Sequence, residues 1–379
     1  MRVGLFTNNY LPTLGGVPRS VETLRLGLER SGHGAYVFAP RVPGFSDLSA
    51  QIFRGPSVPA PTYPDFFVPL PVWPRLSSTV RNLDLDLFHA HHPFLLGQAA
   101  RRLAAKFRRP LIFTYHTKYD AYTHYVPFLQ VVVRRLAINL STAFSNQADL
   151  VIAPSHGIAT RLSLLGVKSR IEVVPTGVDL KLFAPGDHIL VRRQLRLPSD
   201  ALILLYVGRL DREKSVEFLL RAFASVGSNL FDTYLILVGA GKEGRRLRAL
   251  ASSLSVSDRI LFVGSVPMER VVDYYRAADL FLFASQTETQ GLAIAEAFAT
   301  GLPVVAVRAS GVEDVVQDGE TGFLVPADVA QFSSAVQTLL SDRAWRRQMG
   351  ERARDVAAGE FSAEQSVARH VELYQQLLG

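Results

Sequence analysis

Short runs of apolar, β-branched and aromatic residues recur along the chain, separated by longer stretches in which apolar positions return every three or four residues. In the first half the runs are "RVGLFT", "AYVFAP", "LDLFHAHH", "PLIFTYH" and "LVIAPS". In the second they are "LILLYVG", "YLILVG", "ILFVG", "LFLFAS", "PVVAV" and "GFLV". Apolar runs of this length suit strands buried on both faces, and the stretches between them are long enough for crossover helices. The pattern predicts two doubly wound α/β domains with parallel sheets. Turn residues replace the periodic apolar ones in "PTGVDLKLFAPGDHI", which sets the expected seam. The first domain is then residues 1–183 and the second 184–361. The amphipathic tail, 362–379, is free by sequence alone to pack on either.

A length of 379 residues agrees with two domains. No apolar run approaches the roughly 20 residues of a membrane-spanning helix, and the opening "MRVGLFTNNYLP" reads as a first strand, not a signal peptide. The absence of cysteine excludes disulfides, thiolate metal sites and cysteine nucleophiles, and is compatible with the cytoplasm. The net charge of +7 is uneven. Residues 1–190 hold 20 Lys/Arg against 11 Asp/Glu, and residues 191–379 hold 21 against 23. A basic half points either to an anionic surface or substrate, or to charge that merely solubilises.

In open α/β sheets ligands bind beyond the carboxyl ends of the strands, so the loops there come first. After the first run, "NYLPTLGGVPRS" places Gly15 and Gly16 before a helix. This is either a phosphate-approach loop or a common glycine turn. After "LLYVG", Arg209 and Lys214 stand five residues apart at a strand-to-helix turn, where a planar fork and a mobile point charge suit a diphosphate. In "SQTETQGLAIAEAFATGLPVVA" Glu288 precedes a helix start at Gly291 and Leu292, and Glu296 lies about two turns inside it. Free amides at that start favour an anion, and an acid on each side suits a polyol on each side. A diphosphate between two polyols is a nucleotide sugar.

The order of "YVGRLDREKS", "LILVGAGKE", "ILFVGSV", "AADLFLFASQTETQGLAIAEAFATGLPVVAV" and "DGETGFLV" resembles that of retaining glycosyltransferases of family 4. The resemblance spans essentially the whole chain. It implies a GT-B fold: two facing Rossmann-like domains with a cleft between them and a C-terminal helix crossing back to the N-terminal domain. It also implies that Arg209 and Lys214 bind the donor diphosphate, with Gly16, Gly291 and Leu292 near it. Glu288 would hold the transferred sugar and Glu296 the ribose. The base loop is expected around residues 264–268.

The stretch "HAHHPFLLGQAARRLAAKFRRPLIFTYHTKYDAYTHYVP" is similar to the lipid-glycosylating branch, diacylglycerol glucosyltransferases in particular. That implies His116 as an active-site histidine, catalytic together with Glu288. It implies an acceptor side formed by Tyr115, Tyr119, Tyr122, His124 and Tyr125. His89 and His91 share one face of a strand without a third ligand, so they read as structural. "DLDL" (84–87) has the Asp-x-Asp form of a metal site but introduces a strand, at the wrong end of the sheet. The resemblance implies no metal and no cofactor beyond the nucleotide sugar, with the leaving diphosphate balanced by cations and helix dipoles.

The expected donor is UDP-glucose and the expected acceptor a diacylglycerol-type lipid, with no nucleic-acid partner. GDP-mannose transfer to a phosphoinositide or glycolipid is the alternative, and a nucleotide-sugar epimerase the rival of another class. Arg101, Arg102, Arg108, Arg109, Arg134 and Arg135, with the aromatic loop "YPDFFVPLPVWP", are the expected contacts to an anionic membrane surface. The expected location is cytoplasmic, peripheral on the inner face of the cell membrane.

Overall fold

The computed structural model describes residues 1–13, 15–60, 63–70, 72–119, 130–184, 186, 189–226 and 232–379. Tyr122, His124 and Tyr125 lie outside them. The chain divides into two compact units, Met1–Gly177 with Ala363–Gly379, and Val178–Ser362.

The first unit runs β1 (Arg2–Phe6), α1 (Gly16–Arg30), β2 (Gly34–Pro40), β3 (Ile52–Gly55), β4 (Ser57–Ala60) and β5 (Tyr63–Pro69). It continues with α2 (Leu76–Leu83), β6 (Leu87–Ala90), α3 (Leu96–Phe107), β7 (Leu111–Thr114), α4 (Gln130–Ser145), β8 (Leu150–Ala153), α5 (His156–Leu164) and β9 (Ile171–Val173). Seven strands form one parallel sheet in the order β3-β2-β1-β6-β7-β8-β9.

Alternate residues of each strand feed opposite faces. Val3 and Leu5 join Val21, Leu24 and Leu28 of α1 in one core. Phe6 and Phe88 join Val80 of α2 and Ala100 and Leu103 of α3 in the other. The Phe6 and Phe38 rings stack there with centroids 4.3 Å apart.

The second unit runs α6 (Ile189–Gln194), β10 (Leu202–Val207), α7 (Val216–Val226), β11 (Thr233–Val238), α8 (Gly244–Ser253), β12 (Ile260–Gly264) and α9 (Met268–Ala277). It continues with β13 (Leu280–Phe283), α10 (Leu292–Thr300), β14 (Val304–Val307), β15 (Gly322–Val325), α11 (Val329–Ser341) and α12 (Arg343–Glu360). Its sheet is parallel in the order β12-β11-β10-β13-β14-β15. One face carries Tyr275, Phe298 and Ala353, from α9, α10 and α12. The other carries Leu219, Leu247 and Phe332, from α7, α8 and α11.

Three features differ from the sequence expectation. Residues 178–183 belong to the second unit, because Val178 pairs with Ser362 and Phe183 is buried against Tyr275. The aromatic stretch read as a loop forms β5, antiparallel to β4, so part of it is hydrogen-bonded backbone. Two further strands, β3 and β9, extend the edges of the first sheet.

The tail forms α13 (Ala363–Leu378) and packs in the first unit, where Val367, Leu373 and Tyr374 complete the core beside α1. The approach is close enough that a Cβ on Gly27 of α1 would stand 2.3 Å from Val367 Cγ2. Gly27→Leu is therefore expected to overpack this contact and destabilise the first domain by about 1–3 kcal/mol. Denaturant titration should give a lower midpoint at unchanged slope. An unmoved midpoint would mean that α13 does not press on α1 at this position.

Candidate active site

The strand order of each sheet reverses once, between β1 and β6 in the first and between β10 and β13 in the second. Loops leaving the carboxyl ends there diverge to opposite faces and leave a crevice. The sequence-expected residues of the second unit gather at its reversal. Arg209 follows β10, Lys214 ends a 3-10 turn (Arg212–Lys214) before α7, and Glu288 lies between β13 and α10.

Lys214 Nζ donates to Glu288 Oε1 at 2.5 Å. The Arg209 guanidinium is clasped by Asp211 and by Glu213, the latter at 2.5 Å. Asp211 and Glu213 are 3% and 7% exposed, and buried carboxylates persist only when paired. Asp211 also accepts from the Lys242 amide at 3.1 Å, and Tyr206 OH donates to the Arg209 carbonyl at 2.8 Å. The arginine is thus held at both head and backbone.

The Glu288 loop is fixed as closely. Ser285 Oγ donates to the Glu213 carbonyl at 3.3 Å, tying the two loops together. A Cβ on Gly311, whose φ is +89°, would stand 2.6 Å from the Glu288 carbonyl oxygen. That position needs glycine both for its left-handed backbone and for the clearance.

Helix α10 begins at Gly291 in the left-handed conformation with no side-chain cap. Its first amides, at Leu292 and Ala293, have no carbonyl one turn back to bond. Glu296 points from this helix into the protein at 2% exposure, where Tyr275 OH donates to Oε2 at 2.8 Å. The expected base loop opens at Gly264, left-handed with φ +84°, at the end of β12.

In the first unit Gly16 opens α1, and a Cβ there would meet nothing within 4 Å among the described residues. Packing inside the domain therefore does not demand this glycine. The histidines after β6 and β7 form one cluster. His116 Nε2 lies 2.9 Å from His91 Nδ1, and the rings of His89 and His91 lie 4.2 Å apart. His89 is bonded through Nδ1 to Tyr374 OH and through Nε2 to Thr114 Oγ1, both at 2.7 Å. Its two partners identify it as structural.

His91 is a different case, since one nitrogen meets His116 and Nε2 is buried with no hydrogen-bond partner among the described residues. Burial pushes His116 down to about 3, helped by repulsion from His92 and His370, so it is neutral at ordinary pH.

Of the expected acceptor side, Tyr119 packs edge-on against Phe94 and Tyr115. Tyr115 is 1% exposed and belongs to the core with Phe113, so it does not present an open acceptor wall. The carboxylates of "DLDL" have other partners. Asp84 pairs with Arg2 and Arg109, and Asp86 accepts from the Arg2 amide at 2.6 Å. They fasten the first strand at the amino end of the sheet.

Among the expected membrane residues, Arg102 and Arg108 are exposed, Arg101 donates to Gln98 at 3.1 Å, and Arg134 and Arg135 are exposed on α4. Sequence reasoning missed Asp211, Glu213 and Tyr275. The alternation of cations and acids in "RLDREK" was the one available signal for the first two.

Comparison with known proteins adds an independent line. Residues 188–356 match the model "Glycosyl transferases group 1", and residues 14–182 match "Glycosyltransferase Family 4". The chain is 32% identical to the alpha-monoglucosyldiacylglycerol synthase of Streptococcus pneumoniae, over 86% of this chain and 75% of that protein. It is 33% identical to the protein of the same name from Acholeplasma laidlawii, over 85% and 84%. Among solved structures, sucrose-phosphate synthase from Thermosynechococcus elongatus superposes with a TM-score of 0.85 at 27% identity, covering 100% of this chain and 99% of that one. The two Rossmann-like domains are those of GT-B glycosyltransferases.

The histidine cluster predicts a pH dependence of stability. His370 is lowered by burial to about 4, and His89 and His91 are well below their usual 6.5, again chiefly by burial. A folded-state value below the unfolded one means that the unfolded chain takes up the proton first as pH falls. The stabilisation is present above pH 6.5 and is lost on the way down to about 4. It amounts to roughly 1.4 kcal/mol per pH unit for each fully buried ring. Calorimetry between pH 7.5 and 4.5 should show the melting temperature falling steeply below 6.5. A flat profile across that window would contradict the neutral cluster.

Proposed function

The chain belongs to glycosyltransferase family 4, and on that premise we propose that it is a retaining, metal-independent hexosyltransferase that moves glucose from UDP-glucose to the hydroxyl of a diacylglycerol-type lipid at the cytoplasmic face of a membrane. The observation that carries the reading is the Lys214–Glu288 pair beside Arg209 at the reversal point of the second sheet. The similarity to two monoglucosyldiacylglycerol synthases supports the sugar and the class of acceptor.

An incoming diphosphate competes with Glu288 for Lys214. The lysine turns to the phosphate, and Glu288 is released to accept hydrogen bonds from the hydroxyls of the sugar. Arg209, anchored by its two acids, turns its guanidinium to the diphosphate, and the first amides of α10 add a helix N-terminus. Glu296, oriented by Tyr275, takes the ribose hydroxyls. In the transfer step the bond from the anomeric carbon to the phosphate oxygen breaks. The acceptor oxygen bonds that carbon on the same face, and its proton passes to the departing diphosphate. His116, with its value near 3, is too weak a base to take that proton and serves as a hydrogen-bonding group. The leaving charge is balanced by Arg209, Lys214 and the helix start, so chelation by EDTA should leave the rate unchanged.

Helix α4 supports the membrane part of the reading. Val131, Val132, Leu136 and Leu140 are 48–66% exposed, and the last three repeat at four-residue spacing along one side. Arg134 and Arg135 lie within the same helix, and Arg101, Arg102, Arg108 and Arg109 cluster along and just beyond α3. Exposed apolar side chains among cations suit an interfacial helix on anionic lipid. Among the described residues, no helix is long and apolar enough to cross a membrane.

Two experiments test the proposal. Labelled UDP-glucose and labelled GDP-mannose are each given to the protein with vesicles containing diacylglycerol. Lipid-bound label is expected from the first alone, and Glu288→Gln should lower that rate by about 10²- to 10³-fold with folding unchanged. Label from GDP-mannose only would overturn the donor, and interconversion of the free sugar without lipid would favour an epimerase.

In the second, Val132, Leu136 and Leu140 are replaced by Ser. Binding to phosphatidylglycerol vesicles is expected to weaken. Replacing Arg101, Arg102, Arg108 and Arg109 by Ser should reduce its sensitivity to salt. Unaltered binding in both would return these helices to the role of ordinary solvated surface.

A further inference from the structure

Leu95 has a backbone conformation that leucine rarely adopts. It stands between the end of β6 and the start of α3, with φ +50° and ψ −103°. These angles belong to the first central position of a type II′ turn, which glycine fills because a Cβ is crowded there. A leucine at this place costs stability, and such an outlier persists only where its surroundings over-determine it.

The surroundings do so here. The Asn8 side chain grips the turn on both sides of Leu95: Nδ2 donates to the Phe94 carbonyl and Oδ1 accepts from the Leu96 amide, each at 3.0 Å. The Asn8 amide donates to His92 Nδ1 at 3.1 Å, so the brace is itself anchored. Gly97 presses on the start of the turn, where a Cβ would stand 1.7 Å from the His92 carbonyl oxygen. Gln98 Nε2 donates to the Pro93 carbonyl at 2.8 Å and closes it.

The side chain held in this way does not serve packing. Leu96 is 3% exposed, and Phe94 is half-buried and packs edge-on against Tyr119, whereas Leu95 is 36% exposed. Among the described residues it belongs to neither core of the first unit. The turn also stands where a ligand is expected. It follows His91 and His92 off the carboxyl end of β6, at the strand-order reversal, and through Phe94 it touches the stretch that carries His116 and Tyr119. A rigid apolar group at the edge of this crevice, kept at the expense of stability, fits a ligand with an apolar body next to its reacting hydroxyl.

We propose that Leu95 is a specificity-determining residue for the acceptor: its side chain contacts the apolar body of the lipid, and the braced turn holds it in that place. The inference rests on the reading of the acceptor as a diacylglycerol-type lipid and adds a residue of the first unit that selects it.

Three variants of the full chain separate the side chain from the backbone. Leu95→Ala keeps a Cβ in the strained turn and removes the apolar reach. Leu95→Gly removes both, and Leu95→Met restores an apolar side chain of similar length. With labelled UDP-glucose and dioctanoylglycerol in detergent micelles, KM for the lipid is expected to rise about 10-fold in Leu95→Ala and Leu95→Gly. The effect should be confined to the lipid, with KM for UDP-glucose little changed, and Leu95→Met should rescue most of it.

Denaturant titration reads the strain without reference to activity. Leu95→Gly is expected to raise the midpoint at unchanged slope, and Leu95→Ala is not. An unmoved lipid KM in Leu95→Ala would overturn the contact, whatever Leu95→Gly does. A lowered midpoint in Leu95→Gly would overturn the strain from which the contact is inferred. Wild-type protein that labels no lipid would instead defeat the reading of the acceptor, an outcome visible before any variant is compared.

Discussion

A parallel sheet whose strand order reverses sends the loops on either side of the reversal away from each other, and backbone groups at that point lack the cover of a crossover helix. Both sheets of this protein have one such reversal, and the chemistry-bearing side chains of each unit gather there. In the second unit the crevice is lined by two cations and three carboxylates: Arg209 and Lys214 against Asp211, Glu213 and Glu288. On the proposed reading such a site binds an anion by exchange, with a fixed cation whose acids are buried and a second whose acid sits on a loop. The difference in burial separates their roles. Asp211 and Glu213 stay with Arg209 because leaving would strand a carboxylate in the interior, whereas Glu288 and Lys214 remain 19% and 16% exposed and can trade partners.

The histidine cluster of the first unit is ordered by hydrogen bonds rather than by charge pairs. His89, His91, His116 and His370 are held neutral by burial, so each ring has one donor and one acceptor nitrogen. Tyr374 and His370 come from α13, nearly the whole chain away in sequence; Tyr374 OH bonds His89, and His370 lines the cavity beside His91. The close fit of α13 at Gly27 fixes these polar groups in place. A core contact and a hydrogen-bond network thus share one helix.

The sequence made the second sheet fully legible, because its six strands are continuous apolar runs and nothing in them competes with that reading. The first sheet was read less completely. β9 is three residues long and half-buried, too short for a periodic signal. β4 and β5 carry prolines and aromatics that read as a loop, and their pairing depends on a partner strand. At the site, Arg209, Lys214 and Glu288 were visible because they lie in the short loops that leave apolar runs. Asp211, Glu213 and Tyr275 were not, because burial of a polar group is a property of the assembled fold. His91 stands 25 positions from His116, and nothing local in "HAHH" distinguishes the histidine that meets it from the one that meets Thr114.

Helix α10 shows how far the fold departs from its own stability for the sake of such a group. Its sequence, "LAIAEAFAT", is apolar on every side, and Ile294, Ala295, Ala297 and Phe298 are buried completely. An alanine or leucine in place of Glu296 would extend that packing, whereas a carboxylate at 2% exposure must be compensated by hydrogen bonds or else cost several kcal/mol. Tyr275 supplies one such bond, and its own ring is locked between Phe183 and Phe281. Holding the tyrosine rigidly is what lets it hold the acid. On the proposed reading, that preset orientation is what meets a ligand hydroxyl in one geometry.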